Sequence, residues 1–171
     1  MRLVHFSDKP IKAIHSKNQT GNRIRDLGFK PWGLWVSVEG NGDGWSDWIE
    51  GENYRNGHYK YATEVELTPE ANILYIKNAK QLDAFTRKYA DKDNPFFKTT
   101  MSAIYIKWQE VANLYDGIII SPYIWARRLT MHVTWYYSWD CASGCIWNAK
   151  AVKIKGGMTY KKFKRSLSQQ T

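Results

Sequence analysis

Hydrophobic and polar positions follow two periods along the chain, one typical of strands and one typical of helices. Alternation of apolar and polar residues predicts a first strand over Leu3–Ser7 and an extended segment over Tyr59–Leu67. Apolar residues at helical spacing predict a helix over Ala79–Tyr89, with Asn78 placed to cap it. Further strands are predicted at Gly33–Val38, Ile73–Ile76 and Ile118–Ile120, and a further helix at Ile104–Leu114. This order of elements predicts an α+β fold.

Three segments between these elements have less regular patterns. Trp45 to Tyr54 is predicted to be either a short helix or an aromatic loop over the core. Glu39–Gly44 is rich in glycine, but no Lys-Ser/Thr follows it, so a flexible turn is favoured over a phosphate-binding loop. Asp91–Pro95 is predicted to be a loop.

The segment Tyr136–Trp147 combines aromatic rings, a carboxylate and two thiols with small residues. A buried carboxylate such as Asp140 needs a partner, and bulky rings beside small side chains suggest a shaped surface, so the segment is predicted to be one wall of a site. Cys141 and Cys145 lack the second pair of ligands that a structural zinc site needs. They are interpreted as small core or wall residues of a reduced, intracellular protein rather than as nucleophiles.

Composition and charge add expectations about partners. The 171-residue chain contains nine Trp and eleven Tyr, so some rings are expected to line a groove or pocket. Its formal net charge of +9 favours a polyanion, and nucleic acid is the natural candidate. Residues 1–155 are predicted to form one domain and residues 156–171 a basic C-terminal tail. The sequence has no long apolar run, so we expect a cytoplasmic protein with no membrane partner.

Several segments, taken in order, resemble the ADP-ribosyltransferase superfamily, whose members cleave NAD at the nicotinamide bond and transfer ADP-ribose. Leu3–Ser7 is similar to the first family strand, and Lys30–Ser37 to the second. Tyr61–Leu74 is similar to the strand and turn that lead into a family helix. The closing strands are matched by Tyr115–Ile120 and Gly144–Val152. The resemblance covers Leu3 to about Val152, and it implies a split β-sheet core flanked by helices.

The resemblance also implies roles for individual residues. His5, Ser37 and Asp140 would be catalytic, and His5 would bind the NAD ribose. NAD would be a substrate, and no metal would be needed. Asp140 stands where the family usually has Glu, and Phe6 where relatives often have Gly. The residues expected to contact NAD are His5, Phe6, Ser7, Trp35, Ser37 and Tyr137.

Alternatives remain for these residues and for the function. Considered alone, His5 would be a structural histidine and Asp140 a turn cap. Arg127-Arg128 would contact a phosphate or form an exposed basic pair. The leading hypothesis is a mono-ADP-ribosyltransferase with a nucleic-acid acceptor, DNA or RNA, in preference to a protein acceptor. The alternatives are an NAD glycohydrolase and a non-catalytic nucleic-acid-binding module.

Overall fold

The computed structural model describes residues 1–20, 29–54, 59–92 and 103–169, and its strands form one seven-stranded mixed sheet. The order across the sheet is β4-β5-β6-β2-β1-β3-β7. Only β4 and β5 are parallel neighbours; every other neighbouring pair of these strands is antiparallel. The strands are β1 (Arg2–Ser7), β2 (Leu34–Glu39), β3 (Tyr61–Leu67), β4 (Ile73–Ile76), β5 (Gly117–Ile120), β6 (Ser143–Ile146) and β7 (Val152–Thr159).

Helices pack against this sheet. They are α1 (Trp45–Gly51), α2 (Ala79–Tyr89), α3 (Trp108–Ala112) and α4 (Tyr160–Ser168), with 3₁₀ segments at Trp125–Arg127, Met131–Ser138 and Ala149–Ala151. The predicted bounds of α2 are confirmed, and the Asn78 side chain accepts a hydrogen bond from the Gln81 amide. Trp45 begins a helix, which decides between the two predictions for that segment.

The helix predicted at Ile104–Leu114 forms only over Trp108–Ala112. The residues before it pair with the end of α2 instead. The Lys107 amide donates to the Tyr89 carbonyl at 2.8 Å, and the Asp91 amide donates to the Tyr105 carbonyl at 2.8 Å. This pairing holds the backbone extended and so prevents an earlier helix start. Residues 93–95 of the predicted loop lie outside the described residues.

The predicted combination of helices and strands is confirmed, but a split sheet is not observed among the described residues. The reason is the position of β6, which is hydrogen-bonded on both sides. Ser143 is in register with Ile120 of β5 and with Ser37 of β2. β6 therefore joins the β4-β5 pair to the remaining strands in one continuous sheet.

Residues 156–168 of the predicted basic tail form regular secondary structure. β7 continues to Thr159 along β3, and α4 follows directly. Phe163 of α4 is fully buried in a small cluster with Val4, Phe6 and Ala62. The segment is ordered because it supplies an apolar residue to this cluster, while its lysines remain outside. In the part of the chain that the structure describes, no helix is long and apolar enough to cross a membrane.

Candidate active site

A pocket of about 210 Å³ opens beside β1, β2 and the chain that leads into β6. Five of the seven residues that the resemblance assigns to the site line it: His5, Phe6, Trp35, Ser37 and Asp140. They come from three separate parts of the sequence. The sheet brings them together because β2 pairs with β1 on one side and with β6 on the other.

His5 is held in one tautomer. Its Nδ1 lies 2.7 Å from the carbonyl oxygen of Trp35. Because a carbonyl only accepts, Nδ1 must carry the proton and donate it. In the neutral imidazole the other nitrogen, Nε2, then carries a lone pair, which can accept a hydrogen bond from a hydroxyl group. His5 is thus both tied to the fold, as the structural interpretation expected, and part of the pocket lining.

Aromatic rings form much of the pocket wall. Trp35 meets Trp139 edge to face, with ring centroids 4.8 Å apart. Trp45 stacks on Trp48 at 4.7 Å and contacts Tyr59 at 6.1 Å. Such flat surfaces suit a planar ring of a ligand, which packs favourably in stacked or edge-to-face geometry.

Ser37 belongs to a buried hydrogen-bond network at the junction of β2 and α1. Its hydroxyl donates to Glu39 Oε1 at 2.6 Å and accepts from the Trp45 amide at 2.7 Å. Glu39 is only 3% exposed, and it also accepts from the amide and the hydroxyl of Ser46 at 3.1 and 2.5 Å. The hydroxyl of Ser37 therefore orients the start of α1 through Glu39.

Sequence analysis missed Glu39, although a signal was present. Ser37 and Glu39 are two residues apart on a strand, so their side chains share a face, and a helix begins shortly after. Close packing supports the network. A Cβ on Gly44 would lie 2.8 Å from the Val38 carbonyl oxygen and 2.9 Å from Glu39 Cδ, so only glycine fits there.

Asp140 supplies a carboxylate to the pocket just before β6. Burial raises the pKa of this carboxyl above its usual range, and the positive charges of Lys30 and Arg128 oppose that rise. Arg128 Nη2 lies 3.7 Å from Asp140 Oδ1. The carboxylate therefore sits in a partly desolvated position, where the effect of burial outweighs the attraction of nearby cations.

The segment that carries Asp140 is anchored from several directions. The Tyr123 amide donates to Asp43 Oδ2, and the Ala142 amide donates to the Asp43 carbonyl, both at 2.8 Å. Trp135 Nε1 donates to Thr86 Oγ1 on α2 at 2.8 Å. These bonds fix the chain on both sides of Asp140.

Lys30 is a pocket residue to which sequence analysis assigned no role. Its ammonium group lies 4.9 Å from the centroid of the Trp35 ring. Burial lowers the pKa of Lys30, and the negative charge of Asp140 opposes the change. The position of Lys30 depends on a contact between distant segments. The Cys145 thiol donates a hydrogen bond to the carbonyl oxygen of Pro31, the residue after Lys30, with a distance of 3.7 Å. No local pattern in the sequence signals that contact.

Ser7 and Tyr137, predicted to contact NAD, are not placed in this pocket. Ser7 lies at the end of β1 and its hydroxyl donates to the Lys9 carbonyl at 2.7 Å. Tyr137 is 58% exposed in the 3₁₀ segment that precedes Trp139. Arg127 is not an exposed free cation, because it is partly buried and forms two 2.8 Å hydrogen bonds to the carboxylate of Asp83.

The two cysteines are free and buried. Burial raises the pKa of the Cys141 thiol to about 12 and also raises that of Cys145. Both are therefore neutral thiols at physiological pH, and neither is activated as a nucleophile. Over the described residues, no group of three or more His, Cys, Asp or Glu side chains is placed to hold a metal ion.

Comparisons of the chain with protein-family models, with curated proteins and with solved structures found no match. The chemistry of the site is therefore inferred from its own geometry. The pocket offers aromatic walls, a histidine acceptor and a carboxylate close to cations.

Proposed function

We propose that the chain is a mono-ADP-ribosyltransferase, which cleaves NAD and transfers ADP-ribose to a macromolecular acceptor, nucleic acid in preference to protein. The observation that carries the proposal is the common pocket of His5, Trp35 and Asp140. These three residues were selected from the sequence for this chemistry, and they lie far apart along the chain. Their shared position in one aromatic-walled pocket supports the proposal.

In the proposed reaction the glycosidic bond between nicotinamide and ribose breaks, and its electron pair leaves with the nicotinamide nitrogen. Positive charge develops on the ribose ring. The carboxylate of Asp140 stabilises that charge, and partial burial strengthens the interaction. Nε2 of His5 accepts a hydrogen bond from a ribose hydroxyl, and Trp35 packs against the nicotinamide ring.

The acceptor completes the reaction. A nucleophilic oxygen or nitrogen forms the new bond to the ribose carbon and loses its proton to solvent. The net charge of +9 favours nucleic acid as the source of that nucleophile. If water attacks instead, the same site performs NAD hydrolysis, so the pocket alone does not separate transfer from hydrolysis.

The test is incubation of the purified chain with NAD labelled in the adenylate part, together with DNA, RNA and protein in separate reactions. We expect label on a nucleic acid and release of nicotinamide. Asp140→Asn keeps the shape but removes the negative charge, so turnover should fall by a large factor. Asp8→Asn is the matched control, because Asp8 is exposed and lies outside the pocket lining.

Three results would contradict the proposal in different ways. Free ADP-ribose without labelled acceptor would indicate an NAD glycohydrolase. Nucleic-acid binding with no nicotinamide release would indicate a binding module. Equal turnover in Asp140→Asn and the parent would remove Asp140 from the reaction, and Glu110 and Asp116 would be the next carboxylates to substitute.

A further inference from the structure

Most of the net positive charge lies in one part of the chain. After Asp140 the sequence contains seven of its 25 Lys and Arg residues and none of its 16 Asp and Glu residues. The part up to Asp140 is nearly balanced. The excess therefore belongs to the region of β7 and α4, which the fold holds in place.

Three of these cations form a patch on α4. Lys161, Lys162 and Arg165 are exposed, and their spacing puts them on neighbouring positions of one helix surface. We call these three residues the α4 patch. None of them forms an ion pair with another described residue. Lys164, by contrast, is paired with Glu50 at 3.0 Å.

The acidic groups near α4 are already engaged. Glu64 is paired with Arg2, and Glu66 lies 3.2 Å from Lys153. Like charges in the α4 patch repel one another, and no carboxylate in the described part of the chain forms an ion pair with them. A surface of this kind favours an external anion.

Helix α4, which carries the patch, packs against a residue of the candidate active site. The rings of Phe163 and Tyr160 contact Phe6, with centroids 5.3 and 5.6 Å from it, and Phe6 lines the pocket. The Tyr160 amide donates to the Lys60 carbonyl at 2.9 Å, next to the pocket residue Tyr59. Phe6 thus contacts both the buried side of α4 and the pocket.

The packing of α4 distinguishes nucleic acid from a membrane surface. A basic helix that lies on a bilayer needs a free apolar face to insert among the lipids. The apolar side of α4 is covered instead, since Phe163 is fully buried against the sheet and Leu167 packs on the same cluster. Exposed cations without a free apolar face fit the phosphate backbone of a nucleic acid.

We propose that the α4 patch binds the phosphate backbone of a nucleic acid and holds the strand beside the pocket. The role in presenting an acceptor rests on the proposed transferase function, whereas the binding itself does not. Contacts to phosphates do not involve the base edges, so binding is independent of the nucleic-acid sequence. Because these contacts are electrostatic, the affinity weakens steeply as the salt concentration rises.

The test compares two triple variants with equal loss of charge. Lys161→Gln/Lys162→Gln/Arg165→Gln removes the α4 patch. Lys77→Gln/Lys80→Gln/Arg87→Gln removes two lysines and one arginine, all exposed, near β4 and α2 at the other end of the sheet. Fluorescence anisotropy with a labelled single-stranded oligonucleotide is measured at several salt concentrations without NAD.

We expect the first variant to bind at least tenfold more weakly than the parent at low salt. Loss of three phosphate contacts should also reduce the salt slope of log K by about two for a single strand. The second variant should bind nearly as well as the parent. Equal weakening of both variants would show that binding depends on the overall net charge and not on the α4 patch. Unchanged binding in the first variant would show that α4 is not part of the interface. Either result overturns the proposal.

Further measurements separate this proposal from the alternatives. Binding of the parent to anionic phospholipid vesicles but not to oligonucleotide would overturn it in favour of a membrane surface. Oligonucleotide binding through α4 without any NAD cleavage would refute the transferase and leave the patch intact. If the transferase is correct, the first variant should keep NAD hydrolysis in the absence of acceptor but lose labelling of nucleic acid.

Discussion

Removal of the buried carboxylate at Glu39 should destabilise the fold at the pocket more than removal of an exposed one. Glu39→Ala leaves the hydroxyl of Ser37 and both the amide and hydroxyl of Ser46 without their acceptor. An unsatisfied buried donor costs about 1–3 kcal/mol. The hydroxyls can turn toward other acceptors, so we expect a total loss of about 3–5 kcal/mol in the free energy of unfolding.

Urea unfolding followed by tryptophan fluorescence measures this change, because the chain contains nine Trp. For a protein of this size the loss corresponds to a decrease in Tm of about 6–20 °C. Glu66→Ala is the matched control. Glu66 is paired with Lys153, but both side chains are about half exposed, so the loss of this ion pair should lower the free energy of unfolding by only about 0–1 kcal/mol. Equal effects of the two substitutions would refute the description of Glu39 as the centre of a buried network.

Three further predictions concern the pocket and α4. His5→Asn keeps a donor for the Trp35 carbonyl but lacks the Nε2 acceptor, so NAD turnover should fall about 100-fold with unchanged unfolding free energy; full turnover would remove His5 from the reaction. Burial raises the pKa of Asp140, so the rate should fall with decreasing pH through a midpoint above the usual range of an aspartate, because protonation removes the charge; Asp140→Asn should lack this acid limb in a pH–rate profile. Phe163→Ala should cost about 3–5 kcal/mol in urea unfolding and Phe163→Leu clearly less, whereas equal small losses would show that α4 is not held by this ring.

The local elements were predictable from the sequence where their pattern is decided by neighbouring residues. α2 begins after a capping Asn78 and keeps its apolar residues on one face, and its bounds were predicted correctly. α4 carries the same kind of signal in Thr159, Tyr160, Phe163 and Leu167. The density of lysines obscured that signal and led to the prediction of a tail.

The site was only partly predictable, because it depends on pairing between distant segments. Residues with a distinctive chemistry, such as His5 and Asp140, were selected as candidates from their types and order, and both line the pocket. Lys30 was missed because its place in the pocket follows from the contact of Pro31 with Cys145, which leaves no trace in a local pattern. Glu39 was missed for a different reason: its partners Ser37 and Ser46 are near it in the sequence, and that local signal was not used.

The position of β6 has a consequence for the synthesis of this protein. β6 is the bridge between β5 and β2, and Asp140 directly precedes it. A chain on the ribosome can pair β1 with β2 and β3 early, but it cannot connect these strands to β4 and β5 until residue 146 has emerged. The pocket therefore does not exist in shorter nascent chains. Any activity of this site begins only after β6 has paired with both β2 and β5.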